Sequence, residues 1–221
     1  MLYIIPTPIG NLEDITLRAL RLLKEVDLIL AEDTRTSKKL LGHFDINTPI
    51  RSYHAHNEHG ITPGLVEQLQ QGTTIGLISD AGTPGISDPG FLLIRACMQA
   101  NIRVECLPCS TLVLSVLVAS VLPCNRVFFG AFLPHKKGRR SRLDYLSQLE
   151  ETFILYESPM RLVKCLKQLI EVCGEDRLAS VCRELSKVHE EIKTENLKAL
   201  LEYYEAQPKV KGEIVIVVSG K

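Results

Sequence analysis

The sequence predicts an α/β protein of two lobes, each a mostly parallel or mixed sheet flanked by helices. Short apolar runs typical of buried strands alternate with helical patterns along the whole chain, as they do in βαβ units. The alternation is interrupted by Leu-Pro-Cys-Asn at 122–125 and then restarts, which predicts domains at 1–122 and 123–221. A loop rich in glycine and proline follows one strand, at the position where open α/β sheets bind their ligands.

The first lobe begins with a strand and continues as alternating strands and helices. Its predicted strands are short apolar runs at 2–5, 28–31, 74–78 and 104–107. Its predicted helices carry apolar residues at helical spacing, at 16–26, 34–41, 63–71, 91–100 and 111–119. Asp14 is the predicted N-cap of the first helix, because a carboxylate accepts from the free N–H groups of a first turn.

The second lobe repeats the alternation after the interruption. Its predicted strands lie at 127–130, 152–156, 178–183 and 213–219, and its predicted helices lie at 160–173 and 196–204. Two lobes of this kind imply a cleft between them, which is a usual place for a binding site.

The composition excludes several classes of protein. Apolar residues make up 45% of the chain, and the 26 basic side chains balance the 26 acidic ones, so a nucleic-acid partner would need a local basic patch. The seven cysteines are scattered, and no second Cys pair or nearby histidine completes a zinc site with Cys106 and Cys109. With no signal peptide and no apolar stretch long enough to span a bilayer, we expect a cytoplasmic protein with reduced thiols.

The loop at 79–90 predicts a ligand site. It contains three glycines, two prolines and two aspartates, and it lies between a buried strand and an apolar helix. Glycines allow tight turns and close approach to a ligand, and prolines hold such a shape in advance. An ordinary connecting turn needs only two or three of these residues, so we favour the binding interpretation.

Two other loops follow predicted strands. Pro-Thr-Pro-Ile-Gly-Asn at 6–11 either shapes a ligand pocket or forms a proline-rich turn, and it lacks the GxGxxG pattern of dinucleotide binding. Ala-Glu-Asp-Thr-Arg at 31–35 places two carboxylates and an arginine at a strand end, where Asp33 acts in the site, caps the next helix, or does both.

Two clusters of polar residues have competing interpretations. His54, His56 and His59 lack the spacing of a helical metal-ligand pair, so we favour a polar loop, either solvated or lining a substrate cleft, and no metal is predicted. Residues 136–142 hold five cations around a glycine, which suits phosphate contacts, although taken alone the segment is better described as a solvated loop.

Six motifs in order carry a resemblance to a known family. They are Pro-Thr-Pro-Ile-Gly-Asn-Leu-Glu-Asp-Ile at 6–15, Ala-Glu-Asp-Thr-Arg at 31–35, Ser-Tyr-His-Ala-His-Asn-Glu at 52–58, Ser-Asp-Ala-Gly-Thr-Pro at 79–84 with Ser-Asp-Pro-Gly at 87–90, Phe-Leu-Pro-His-Lys-Lys-Gly-Arg-Arg at 132–140, and Leu-Tyr-Glu-Ser-Pro-Met-Arg at 155–161. Over nearly the whole chain they resemble the ribosomal RNA methyltransferases of the tetrapyrrole methylase superfamily. The resemblance implies S-adenosylmethionine as methyl donor, folded into a cleft between two α/β lobes.

The resemblance also implies an acceptor and partners. The acceptor is a cytidine 2′-hydroxyl of small-subunit (16S) ribosomal RNA, presented as RNA or as the 30S particle, and the enzyme is commonly a homodimer. By matching motif, the implied donor contacts are Ile9, Gly10, Gly82, Thr83, Ile86, Thr111, Leu112, Tyr156, Glu157 and Leu185. The implied RNA contacts are Arg35, Lys136, Lys137, Arg139 and Arg140. Asp33 and Glu157 both follow predicted strands and are candidates for the general base that must accept the hydroxyl proton.

The chain departs from the family pattern at two places. It has Pro-Cys-Ser-Thr-Leu at 108–112, where family members carry Pro-Gly, and Cys109 adopts positive φ less readily than glycine does. It also ends at the last strand of the core, so we expect the family's small helical C-terminal domain to be absent. A tetrapyrrole-type small-molecule methyltransferase and a non-catalytic RNA-binding relic therefore stay open as alternatives.

Overall fold

The computed structural model describes residues 1–86, 88–109 and 111–221, and the chain divides into two compact units, Met1–Thr111 and Leu112–Lys221. The first unit is built on five parallel strands in the spatial order β3-β2-β4-β1-β5. The strands are β1 (Leu2–Ile4), β2 (Leu28–Ala31), β3 (Ile50–Ser52), β4 (Ile75–Ile78) and β5 (Val104–Cys106). The helices are α1 (Leu17–Glu25), α2 (Thr34–His43), α3 (Glu58–Gln70) and α4 (Phe91–Gln99).

Alternation along the strands gives this sheet two buried faces. Ile29 and Ala31 of β2 pack in one apolar cluster with residues of α1 and α2, whereas Leu30 packs in another with residues of α3 and α4. Successive strand side chains point to opposite faces, so each strand supplies both clusters. Helices on both faces are the usual condition for a parallel sheet, and the predicted α/β class is confirmed.

Three local predictions for the first unit need correction. The N-cap of α1 is Thr16, whose hydroxyl accepts from the N–H of Ala19 at 3.0 Å, while Asp14 lies in the short 3-10 helix Leu12–Asp14. Helix α3 begins at Glu58 rather than at Pro63, although proline favours a first turn. Strand β3 was not predicted, because three residues beside a polar stretch carry little apolar signal.

The second unit is built on a mixed sheet in the order β6-β7-β10-β8-β9. Strand β6 pairs with β7 in parallel, and the other three pairings are antiparallel. The strands are β6 (Val127–Phe132), β7 (Thr152–Glu157), β8 (Leu178–Arg183), β9 (Glu191–Asn196) and β10 (Ile214–Val218). The helices are α5 (Leu112–Ser120), α6 (Arg139–Ser147), α7 (Leu162–Cys173) and α8 (Leu197–Glu205).

Helix α5 belongs to the second unit. Val116 and Leu117 of α5 are buried in one cluster with Ile154 and Val215 of the second sheet, while α6, α7 and α8 cover the opposite face. The predicted domain boundary at 122/123 lies after this helix, because the punctuation at 122–125 follows α5 rather than precedes it. None of the helices in residues 1–86, 88–109 and 111–221 is long and apolar enough to cross a membrane.

Candidate functional site

Four of the six motifs and the loop that contains Cys109 meet at one edge of the first sheet. All five strands are parallel, so their carboxyl ends share one edge. We call the segments that follow these ends the carboxyl edge, comprising residues 5–11, 32–33, 53–57, 79–86, 88–90 and 107–109. Each segment contains residues from one of the sequence patterns singled out above, so the fold gathers patterns that lie up to 100 positions apart in the chain.

The middle strand of this sheet is β4, and β1 is its neighbour on one side. The helices that follow these neighbouring strands, α1 and α4, lie on opposite faces of the sheet. Open α/β sheets bind ligands at such a switch point, because the two connecting segments diverge and leave a crevice. The 6–11 and 79–86 loops therefore flank one crevice of this kind.

Backbone hydrogen bonds hold these two loops together. The N–H of Thr7 donates to the carbonyl of Gly82 at 2.9 Å, and the N–H of Gly82 donates to the carbonyl of Thr7 at 3.0 Å. The hydroxyl of Thr7 is buried and donates to the carbonyl of Ser79 at 3.0 Å. The two loops thus form one unit with a fixed relative geometry.

Gly82 needs its glycine for conformation rather than for space. Its φ is +80°, in the region that L side chains rarely adopt, and an added Cβ would lie 3.6 Å from the side chain of Ile9. Ile9 and Gly82 therefore adjoin, as expected of two donor contacts. Gly10 and Ile86 are exposed on the same loops.

The departure at Cys109 is accommodated. Its Sγ lies 3.4 Å from the hydroxyl oxygen of Thr83, a predicted donor contact. Within the described residues, Cys109 is not one of those with positive φ, so the cysteine imposes no backbone strain here. Ser110 lies outside the described residues, and Thr111 ends the first unit.

The carboxylates of the carboxyl edge differ in their partners. Asp33 caps α2 and accepts two hydrogen bonds from the Arg35 guanidinium, at 2.8 and 3.1 Å. The side chain and N–H of Arg35 lower the pKa of Asp33 to about 2. Burial, then the neighbouring charges of Asp88 and Asp80, raise the pKa of Glu32. Burial and Asp80 likewise raise the pKa of Asp88.

These charges make the edge acidic. Asp33 is engaged by Arg35, whereas Glu32, Asp80 and Asp88 repel one another. Such an arrangement favours a cationic ligand group and disfavours a phosphate.

The histidine motif folds into the turn before α3. Asn57 fixes the turn by accepting from the N–H of His54 at 2.8 Å and donating to the carbonyl of Ser52 at 3.1 Å. The rings of His54 and His56 are 5.9 Å apart, and within the described residues the buried Nδ1 of His54 has no hydrogen-bond partner. No three His, Cys, Asp or Glu side chains in that part of the chain are arranged to hold a metal ion.

The residues proposed from motifs in the second unit separate onto two faces of its sheet. Leu112, Tyr156 and Leu185 pack against the same apolar cluster beside α5. Glu157 follows Tyr156 on β7, so its side chain points to the opposite face. The three apolar positions therefore share a surface that the Glu157 carboxylate does not reach.

Glu157 is the centre of a buried ion-pair cluster. It accepts from Arg139 at 3.0 Å, from Arg161 at 2.7 Å and from the N–H of Ser158 at 2.8 Å. Burial raises its pKa, but the hydrogen bonds from Ser158, Arg139 and Arg161 outweigh burial and the pKa is lowered. A buried carboxylate held by two guanidinium groups is a poor proton acceptor, so the general-base hypothesis for Glu157 loses its support.

The three arginines of the basic segment contact other residues of the second unit. Arg139 is buried and also donates to Gln168 at 2.8 Å, which removes it from the predicted RNA contacts. Arg140 pairs with Asp144 and Glu171 at the surface. Arg142 stacks on the rings of Phe128 and Tyr145, at 5.0 and 5.2 Å.

Two lysines of the basic segment remain available for phosphate contacts, as predicted. Lys136 and Lys137 are exposed, and within the described residues neither forms an ion pair. Arg35, the other predicted RNA contact, is exposed but paired with Asp33.

Glu32 was not among the predicted site residues, and strand alternation would have indicated it. Leu28 and Leu30 of β2 face the cluster beside α3 and α4, so the next alternate position, Glu32, continues that face at the strand end. Asp33, one position later, is instead drawn into the cap of α2.

Comparison with known proteins supports a single family. The sequence profile described as tetrapyrrole (corrin/porphyrin) methylases matches residues 1–201. A ribosomal RNA small subunit methyltransferase I of Synechocystis sp. is 47% identical over 221 residues, which are all of this chain and 79% of that protein.

Solved structures share the fold at low sequence identity. A cobalamin biosynthetic enzyme, cobalt precorrin-4 methyltransferase, has a TM-score of 0.73 and 18% identity, covering 99% of this chain and 94% of that one. The uroporphyrin-III C-methyltransferase of Thermus thermophilus, complexed with S-adenosylhomocysteine, has a TM-score of 0.65 and 19% identity, covering 99% and 96%.

Proposed function

Because the chain belongs to the family of tetrapyrrole (corrin/porphyrin) methylases, we propose that it is an S-adenosylmethionine-dependent methyltransferase acting on small-subunit ribosomal RNA. The acceptor is the 2′-hydroxyl of a cytidine. The observation that carries the proposal is the meeting of four family motifs and the 107–109 segment at the carboxyl edge of one parallel sheet. The whole of this chain matches 79% of a ribosomal RNA methyltransferase.

The chemistry of the carboxyl edge suits this donor. S-Adenosylmethionine supplies a methyl group already activated on a positively charged sulfur. Glu32, Asp80 and Asp88 provide negative charge at this edge, and Arg35 is neutralised by Asp33. A nucleotide cofactor with phosphates would meet repulsion at the same place.

The residues proposed to hold the donor lie on the paired loops. Ile9 and Gly10 come from the loop after β1, and Gly82, Thr83 and Ile86 come from the loop after β4. Thr111, Leu112, Tyr156 and Leu185 are retained from the family pattern as further donor contacts. The Thr7–Gly82 pairing keeps the first two loops in register before the donor arrives, which reduces the ordering that binding requires.

The chain's own residues contribute position and proton transfer. Direct transfer from an activated donor needs the acceptor oxygen in line and a group that accepts its proton. The RNA is held through its phosphates by exposed cations, for which Lys136, Lys137 and Arg140 are proposed. Assembly as a homodimer, action on the 30S particle and a cytoplasmic location complete the proposal.

The proposal is tested in two steps with the full chain. Isothermal titration measures binding of S-adenosylmethionine, and tritium transfer from the methyl-labelled donor then measures methylation of undermethylated small subunits, with fully methylated subunits as the control. We expect donor binding and transfer that saturates at one methyl group per undermethylated subunit. Donor binding without any transfer to RNA would contradict the proposed acceptor and favour a small-molecule substrate. Absence of donor binding would contradict the methyltransferase assignment itself.

A further inference from the structure

We propose that Glu32 is the catalytic residue that accepts the proton of the ribose 2′-hydroxyl. The inference rests on the proposed function and names a group within that site. Glu32 lies at the carboxyl end of β2, next to β4, whose following loop carries the proposed donor contacts.

The reaction needs one such group. As the ribose oxygen bonds to the methyl carbon, the carbon–sulfur bond breaks and its electron pair stays on the sulfur. The oxygen's proton must leave, and in the proposal it passes to the Glu32 carboxylate and then to solvent. No oxidant or further reactant is required.

The partners of the carboxylates distinguish Glu32 from its rivals. Asp33 is occupied by Arg35 and by the first turn of α2, and Glu157 is occupied by Arg139 and Arg161. Asp80 accepts from the N–H of Asp33 at 3.2 Å. Across residues 1–86, 88–109 and 111–221, the Glu32 carboxylate forms neither a hydrogen bond nor an ion pair. It is therefore free to receive a hydrogen bond from a substrate.

Position and surroundings also separate Glu32 from Asp88. Glu32 follows directly on a buried strand, which fixes its backbone. The charge of His54, on the segment after β3, acts on Glu32, and the buried Nδ1 of His54 has no hydrogen-bond partner in the described part of the chain. Asp88 lies within the glycine-rich loop that precedes α4.

Burial and the charges around Glu32 make it a better base than an ordinary glutamate. Burial raises the pKa of Glu32 most, and Asp88 and Asp80 on the loop after β4 raise it further. His54 lowers this pKa by a smaller amount, and Asp33 on the same segment adds the smallest rise. A stronger base accepts the proton more readily near neutral pH. The reaction needs Glu32 ionised, so the rate rises with pH through this raised pKa.

The test compares substitutions that change one carboxylate to its amide. Glu32→Gln is measured in the full chain for donor affinity by titration, for KM and kcat by tritium transfer to undermethylated small subunits, and for the pH profile of kcat. Glu67→Gln makes the same change at an exposed position on α3 and is the matched control. Asp33→Asn, Asp88→Asn and His54→Asn test the neighbours, and Glu32→Asp tests whether a shorter carboxylate restores activity.

We expect Glu32→Gln to lower kcat by about 100-fold or more, as loss of a general base does. Donor affinity falls only modestly, because Asp80 and Asp88 keep their charge, and KM for the RNA stays near that of the unaltered chain. The rise of kcat with pH disappears, and Glu32→Asp restores part of the rate. The proposal is overturned if Glu32→Gln keeps kcat and its pH profile, if it abolishes donor binding, or if the pH-dependent rise is lost in Asp33→Asn, Asp88→Asn or His54→Asn instead. An unaltered chain that transfers no methyl group to RNA contradicts the proposed function, which is a different result from an active Glu32→Gln variant.

Discussion

The carboxyl edge of the first unit and the α6–β7 region of the second are both marked by charged motifs, yet the fold uses their charges differently. At the carboxyl edge, the five parallel strands end on one side of the sheet, and Glu32, Asp80 and Asp88 repel one another there. Within the described residues, none of these three carboxylates forms an ion pair. In the α6–β7 region, Arg139 and Arg161 converge on the buried Glu157. Uncompensated charge at a strand end indicates a site, whereas compensated buried charge indicates an element of the core.

The largest stability effect tests the α6–β7 side of this comparison. Glu157→Gln would leave the buried Arg139 without its counter-charge, so we expect the free energy of unfolding to fall by about 3 kcal/mol or more. Denaturant unfolding followed by circular dichroism measures the loss. Because the folded-state pKa of Glu157 is lowered, its contribution is present above the ordinary glutamate pKa and is lost as pH falls through the lowered value.

The Gln variant should therefore show a weaker dependence of stability on acidic pH than the unaltered chain. The control is Lys167→Leu, which removes the exposed ion pair between Lys167 and Glu205. We expect this variant to lose much less free energy of unfolding than Glu157→Gln does. Full stability in Glu157→Gln would mean that the cluster is not a core element, and the distinction between the two regions would fail.

The next effect tests the carboxyl edge. Gly82→Val imposes a branched side chain on a residue with φ of +80° in the proposed donor loop, so we expect donor affinity to fall at least tenfold, or about 1.4 kcal/mol. Titration with S-adenosylmethionine measures it. Gly72→Val is the matched control, since Gly72 also has positive φ, has open space around its Cβ position, and precedes β4 at the opposite edge of the sheet.

Both glycine variants should lose stability, and only Gly82→Val should lose donor affinity. Equal donor affinity in the two variants would mean that the donor binds elsewhere, and the carboxyl edge would no longer be the proposed donor site.

A smaller effect concerns the exposed cations of the second unit. Replacing Lys136 and Lys137 with Ala should flatten the dependence of log RNA affinity on log salt by about one to two units, since each neutralised phosphate contributes about 0.7 on single strands. Lys209 and Lys211, two exposed lysines on the loop after α8, form the control pair. A slope that changes equally in both double variants would show general attraction rather than a specific RNA contact.

The sequence predicted an element well where that element is buried, because burial requires a run of apolar residues. Strand β8 has the predicted bounds, because its apolar run is buried on both faces of the sheet. Strand β9 was missed because it is a polar strand at the sheet edge, and α6 because its first turn carries the basic segment. Both elements acquire their structure from neighbours rather than from their own apolar pattern.

The candidate site was predictable to the level of its loops. Strand–loop alternation and a parallel sheet are enough to bring the 6–11 and 79–90 segments together. The sequence could not predict which carboxylate is the general base, because that depends on ion pairs and hydrogen bonds between residues that are distant in the chain. Arg139 reaches Glu157 from 18 positions away, and Asp33 is distinguished from Glu32 by the cap of α2.

The smallest effect sharpens the comparison at the start of α1, the helix that follows the first motif loop. Thr16→Ala removes the hydroxyl that accepts from the N–H of Ala19, so we expect stability to fall by about 1 kcal/mol with donor affinity unchanged. Thr16→Ser keeps the hydroxyl and should keep the stability. Denaturant unfolding of the three proteins measures the difference. If Thr16→Ala is as stable as the unaltered chain, the hydroxyl does not determine the start of α1, and the first loop is anchored instead by its hydrogen bonds to Gly82 and Ser79.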